Sequence, residues 1–84
     1  MIYRVIVLPS AQREIQKLSR EIQARIVARI TQLENDPRPH GAIKLVAFDE
    51  YRIRVGNYRI IYTIDDTIVT VTVVHVGHRR DVYR

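Results

Sequence analysis

Cysteine and tryptophan are missing from the 84 residues, methionine occurs once, and glycine and proline occur three times each. Without cysteine the chain has no disulfide framework, no zinc–thiolate site and no cysteine nucleophile, which suits a reducing cytosol. Long apolar runs are lacking as well. The most apolar stretch, Ile68 to Val76, carries threonines at regular intervals and is too short to cross a bilayer as helix. Arg4 sits among the first apolar residues, and no charged, apolar and cleavage regions follow in order, so no signal peptide is expected. A cytoplasmic protein with no membrane partner is the expectation. No glycine-rich phosphate loop is present, and no Ser-His-Asp set can be assembled. His40, His75 and His78 are not spaced with carboxylates as metal ligands are, so neither metal nor cofactor is expected.

What is present reads as a folded globular chain: 46% of residues are hydrophobic and 27% charged, well away from the disordered class. The length suits one modest core, so residues 1–84 are expected to form a single domain. Net charge is +5, and twelve of the fourteen basic residues are arginine. Arginine pairs with phosphate through two parallel bonds and tolerates burial better than lysine. The excess is uneven. Residues 1–50 hold eight Lys/Arg against six Asp/Glu, and residues 51–84 hold six against three. Both simple solubility and a polyanionic partner account for such a balance.

"IYRVIV" followed by "PSA" reads as a strand handing over to a helix with Ser10 as N-cap. Ile15, Leu18, Ile22, Ile26, Ile30 and Leu33 then recur at three- and four-residue steps, one apolar face of helix over roughly Ala11 to Glu34. A single rod of that span is about 36 Å long, against about 30 Å for the diameter of a compact chain of this size. A break is therefore predicted, with Ser19 capping a second helix. "NDPRPHG" ends helical structure. "KLVAF", "YRIRV", "YRIIYTI" and "TIVTVTVVHV" read as strands, the last three joined by tight turns at Gly56-Asn57 and Asp65-Asp66. The fold class expected is α+β: a small antiparallel sheet with an N-terminal strand and two helices packed on one face.

A two-residue loop at Gly56-Asn57 fixes the register, with Val55 facing Tyr58, Arg54 facing Arg59, Ile53 facing Ile60 and Tyr51 facing Tyr62. One face then carries Tyr51, Ile53, Val55, Tyr58, Ile60, Tyr62 and Ile64, suited to burial under the helices. The other carries Arg52, Arg54, Arg59 and Ile61. A two-residue loop at Asp65-Asp66 would add Val69, Val71 and Val73 to the apolar face, and Ile68, Thr70, Thr72, Val74 and Val76 to the arginine face. Like charges directly opposite destabilise a sheet by a few tenths of a kcal/mol to about 1 kcal/mol. Three arginines on one face, with no acid between them, point either to a solubilising surface or to a phosphate backbone as ligand.

In the tail "VGHRRDVYR", Gly77 is expected to turn the chain out of the last strand, freeing Arg79, Arg80, Tyr83 and Arg84 to reach an adjacent surface. RNA carries its own nucleophile, the 2′-OH, and needs in-line alignment and stabilisation of developing negative charge. Arginines supply those two needs but hold their protons too tightly to exchange them. Histidine is the side chain whose ordinary pKa lies near neutrality, which makes the nearby His78 a conditional general acid or base.

"YRIRVGNYRIIY" and "VGHRRDVYR", with the opening strand and helical pair, resemble RelE-type toxins of the RelE/ParE toxin–antitoxin superfamily along essentially the whole chain. The resemblance implies a RelE-like fold and a metal-independent endoribonuclease that cuts mRNA in the ribosomal A site, inhibits translation and is held inactive by a cognate antitoxin. It implies that Arg59 and Arg79 stabilise the scissile phosphate, that Arg52 and Arg54 hold RNA, and that Tyr83 orients or stacks on the substrate. Arg80 and Arg84 join the RNA-binding set. The best-known ribosome-dependent member has lysines where this chain has Arg52 and Arg54, so a general-base role does not transfer to them. The alternative within the superfamily is a ParE-type inhibitor of DNA gyrase without nuclease activity. The cationic face and an exposed sheet edge suggest that the antitoxin is acidic and partly disordered.

Overall fold

A computed structural model of the chain describes residues 2–47 and 49–78. Strand β1 (Arg4–Val7) leads into helix α1 (Pro9–Gln16), helix α2 (Arg20–Gln32), and strands β2 (Ile43–Leu45), β3 (Glu50–Val55), β4 (Tyr58–Asp65) and β5 (Thr70–His78). The strands form one sheet in the order β1-β5-β4-β3-β2. Strands β2 to β5 pair antiparallel, and β1 lies parallel to β5, from Arg4 opposite Thr70 to Val7 opposite Val73. The α+β expectation holds, with a mixed sheet: no hairpin joins β1 to β5, so nothing forces them antiparallel.

The helix breaks where expected. Lys17 closes α1, and Ser19 caps α2 by accepting the Ile22 N–H at 3.4 Å. The start of α1 corrects the sequence reading. Leu8, extended at φ −60° and ψ 149°, occupies the cap position with no side-chain hydrogen bond, and Ser10 falls inside the first turn. Pro9 explains the shift. It lacks the N–H that a first helical residue leaves unused, and it disfavours helical backbone in the residue before it.

Both helices cover one face of the sheet. Ala11, Ile15, Ile26, Ile30 and Leu33 from the helical side meet Ile53, Val55, Ile60, Tyr62, Val71, Val73 and Val76 in one core. Burying an aliphatic side chain of this size is worth about 1.5–3 kcal/mol, so this layer holds the helices on the sheet. The β3–β4 register matches expectation pair for pair, including Arg54 opposite Arg59. Gly56 supplies the left-handed turn residue at φ +58°.

Three strand readings need correction. The strand expected at "KLVAF" is Ile43–Leu45. The Asp65-Asp66 turn is longer than two residues, since Asp65 itself pairs with Thr70. The Asp65 carboxylate accepts N–H bonds from Thr67 at 3.0 Å and Ile68 at 3.4 Å, building a wider turn. Val69 closes that turn at φ 52°, a strained setting for a β-branched residue. Finally, β5 does not alternate throughout: a register shift opposite Ile61/Tyr62 puts Val76 in the core at 1% exposure, where the arginine face was expected to hold it.

Candidate functional site

The face away from the helices is organised in rows set by strand pairing. In the row nearest the β3–β4 turn, Gly77 of β5 lies opposite Arg59 of β4, and Arg59 opposite Arg54 of β3. In the next row, His75 lies opposite Ile61, Ile61 opposite Arg52, and Arg52 opposite Ile43. The expectation that Gly77 turns the chain outward is corrected, because β5 continues through it to His78. Its consequence for the site is local: the β5 residue opposite Arg59 contributes no side chain of its own.

Arg54 is exposed, Arg59 half-buried and Arg52 buried at 9% exposure. Among the described residues neither Arg52 nor Arg54 forms an ion pair, and the buried Nε of Arg52 has no hydrogen-bond partner. An unsatisfied buried donor costs about 1–3 kcal/mol. Glu50 begins β3 and shares the alternation of Arg52 and Arg54, yet it lies at the far end of the row and pairs with Leu45. A further arginine approaches the turn from the helical side: the Arg25 guanidinium comes within 3.4 Å of the position a Cβ would take on Gly56. Arg25 was not foreseen, because helical periodicity alone does not show which helix face overlies the hairpin tip.

The two histidines of β5 fall on different faces. His78 pairs with Tyr58, its ring edge-on to the tyrosine with centroids 5.7 Å apart, on the side shared with Val76. There it lines a groove of about 410 Å³ with Glu14, Lys17, Leu18, Tyr58, Val76 and Gly77. His75, which sequence reasoning left without a role, faces the arginine side. Arg79, Arg80, Tyr83 and Arg84 lie outside the described residues. Among the described residues no group of three or more His, Asp or Glu side chains is placed to hold a metal ion.

At the opposite end of β3 a second cluster uses arginine differently. Arg38 donates to Asp66 through both terminal nitrogens, at 3.3 and 2.9 Å, and through Nε to the Tyr51 hydroxyl at 3.1 Å. Its guanidinium lies 5.4 Å from the centre of the Tyr51 ring, and Tyr3 donates to Asp66 at 2.6 Å. The Arg38 hydrogen bonds, followed by that of Tyr3, hold the Asp66 carboxyl below its usual range. Beneath it, Tyr62 stacks on Tyr51 and donates to the Pro37 carbonyl at 2.8 Å. Burial pushes the Tyr62 phenol up to about 12.

The chain and its fold have relatives. A family model described as the ParE toxin of the type II toxin–antitoxin system parDE matches residues 5–83. Toxin RelG of Mycobacterium tuberculosis is 34% identical over 86 residues, spanning 100% of this chain and 99% of that protein. Among solved structures, the toxin–antitoxin complex RelBE2 of M. tuberculosis is similar at TM-score 0.81 and 30% identity, covering 96% of this chain and 95% of the other. The archaeal RelE–RelB complex of Pyrococcus horikoshii OT3 is similar at TM-score 0.84 and 28% identity, covering 96% and 99%.

Proposed function

The chain belongs to the RelE/ParE superfamily of toxins from type II toxin–antitoxin systems, and on that premise we propose that it is a metal-independent endoribonuclease cutting mRNA in the ribosomal A site. The observation that carries this reading is the arginine face. Arg54 stands opposite Arg59 with Arg52 one row away, and Arg52 and Arg54 have no ion-pair partner among the described residues. A phosphate between these side chains converts mutual repulsion into shared attraction, and each charge-assisted bond strengthens as negative charge develops on phosphorus.

In this reading Arg59 and Arg79 stabilise the scissile phosphate, Arg52 and Arg54 hold the RNA backbone, and Arg80, Arg84 and Tyr83 extend contact along the message. His78, paired with Tyr58 on the helical side, is given no part in proton transfer. The partner that silences the protein is an antitoxin, in keeping with the RelB-bound relatives. The net charge of +5 favours an acidic segment in that partner. No described helix is long and apolar enough to cross a membrane.

The test is to mix purified protein with programmed ribosomes and map the message by primer extension. A cut in the A-site codon is expected, with Arg59→Ala combined with Arg79→Ala abolishing it. An intact message with wild-type protein overturns the nuclease assignment. The family model's description as a ParE toxin favours a second reading, a gyrase inhibitor without nuclease activity. That reading predicts intact message together with failed supercoiling by purified gyrase.

A further inference from the structure

The alternation of β5 changes phase at Val73-Val74. Val73 pairs with Tyr62 in the core, but the next paired residue is His75, opposite Ile61, which leaves Val74 as the extra residue of a bulge. One inserted residue turns every following side chain to the other face. Val76 is thereby sent into the core and His75 to the face of Arg52 and Arg59. On that face His75 is the diagonal neighbour of Arg59, whose direct partner is Gly77. Diagonal neighbours lie about 7–8 Å apart, a gap that a phosphate with its ribose hydroxyl bridges between two long side chains.

The imidazole also has a carboxylate beside it. Its side chain is 55% exposed, and Nδ1 lies 3.7 Å from Glu14 Oε1 of α1. That oxygen is itself fixed, because it accepts the Val76 N–H at 3.0 Å where β5 runs beyond the end of β1. A carboxylate beside Nδ1 favours the tautomer with hydrogen there, leaving the Nε2 lone pair as acceptor. Arginine cannot take up a proton at neutral pH, so Arg52, Arg54 and Arg59 cannot themselves supply the proton acceptor that the reaction needs.

We propose that His75 is the general base of this face and that Glu14 is its positioning residue, an inference that rests on the ribonuclease reading. Nε2 takes the proton from a ribose 2′-OH. The 2′-oxygen forms its bond to phosphorus as the bond from phosphorus to the 5′-oxygen breaks, with Arg59 beside the developing charge. The 5′-oxygen takes a proton from solvent water, and the imidazolium returns its proton to the hydroxide so formed. The products are a 2′,3′-cyclic phosphate and a 5′-hydroxyl end.

Single-turnover cutting on programmed ribosomes, paired with affinity for the same uncut complex, tests the assignment. His75→Ala is expected to cut at least about 100-fold more slowly with affinity unchanged within about two-fold, and added imidazole to restore part of the rate. His75→Gln should be as slow. Glu14→Gln keeps an acceptor for Val76 N–H and should slow cutting by about ten-fold with an unchanged Tm. Combined with His75→Ala it should add nothing further. Cutting by His75→Ala within about three-fold of wild type, or a loss matched by lost affinity, overturns the base assignment and leaves the ribonuclease reading standing. Additive losses in the double variant overturn the role of Glu14. Uncut message with the wild type removes both readings together.

Discussion

Arginines at the two ends of β3 meet opposite surroundings. At the Tyr51 end, Arg38 directs both terminal nitrogens at Asp66 and its Nε at Tyr51, and it lies over the Tyr51 ring. Toward the turn, Arg54 faces Arg59 and Arg52 keeps a buried Nε without a partner. The first arrangement satisfies donors and ties three segments together: the stretch after α2, β3 and the β4–β5 turn. The second leaves the Arg52 Nε unsatisfied among the described residues and sets Arg54 opposite a like charge, which a sheet tolerates only at a cost. The residue type is the same, so the difference lies in the supply of acceptors. Where the fold provides them, arginine holds structure; for Arg52 and Arg54 the described residues provide no ion-pair partner, which suits the proposed RNA phosphate as their acceptor.

The sharpest way to break that comparison is to remove arginines from each end and read activity and stability separately. Arg54→Ala with Arg59→Ala should reduce message cutting by at least about 100-fold, as loss of transition-state charge stabilisation does. Arg54→Ala alone should leave Tm unchanged or raise stability by a few tenths of a kcal/mol, up to about 1 kcal/mol, as the repulsion is relieved. A marked fall in stability would mean that the opposed pair is structural after all. At the other end, Tyr62→Phe should lower stability by about 1–2 kcal/mol through the stranded Pro37 carbonyl, read by urea unfolding. The phenol is held up to about 12 in the fold, above its unfolded value near 10. Its contribution is therefore complete below about pH 10 and lost as pH rises toward 12, a decline Tyr62→Phe should lack. Arg38→Ala should lower Tm by less than Tyr62→Phe, because its ion pair is half exposed, and should leave cutting unchanged.

Much of this contrast was readable from sequence, for local reasons. Gly56-Asn57 admits few turn geometries, so the Arg54–Arg59 opposition followed from loop length alone. The helix break followed from Ser19 and from the length of the rod. What escaped depended on exceptions to alternation and on contacts far apart in sequence. The wider turn after Asp65 needed its carboxylate to bond forward to Thr67 and Ile68. The bulge in β5 did have a signal: in "TVTVVHV" the doubled valine breaks the threonine–valine alternation, and restarting the count after it puts Val76 inward and His75 outward. The contact of Glu14 with His75 and Val76 had none, since 62 positions separate Glu14 from Val76.

The smallest effect separates the two ends by pH. Asp66 is held below its usual range by the Arg38 hydrogen bonds and then by that of Tyr3. A carboxylate depressed in the fold adds stability that is present above its unfolded pKa, about 3.9, and lost as pH falls through the lower folded value. Asp66→Asn is neutral throughout and has no such share to lose. Between pH 6 and pH 3 the Tm of wild type should therefore fall further than that of Asp66→Asn, and the gap between them should narrow as acid is added. Arg54→Ala should follow the wild-type curve, because Arg54 has no carboxylate partner among the described residues whose protonation would matter. If instead Arg54→Ala flattened the acid limb and Asp66→Asn did not, the acceptors would sit at the other end of β3, and the contrast between its two ends would be reversed.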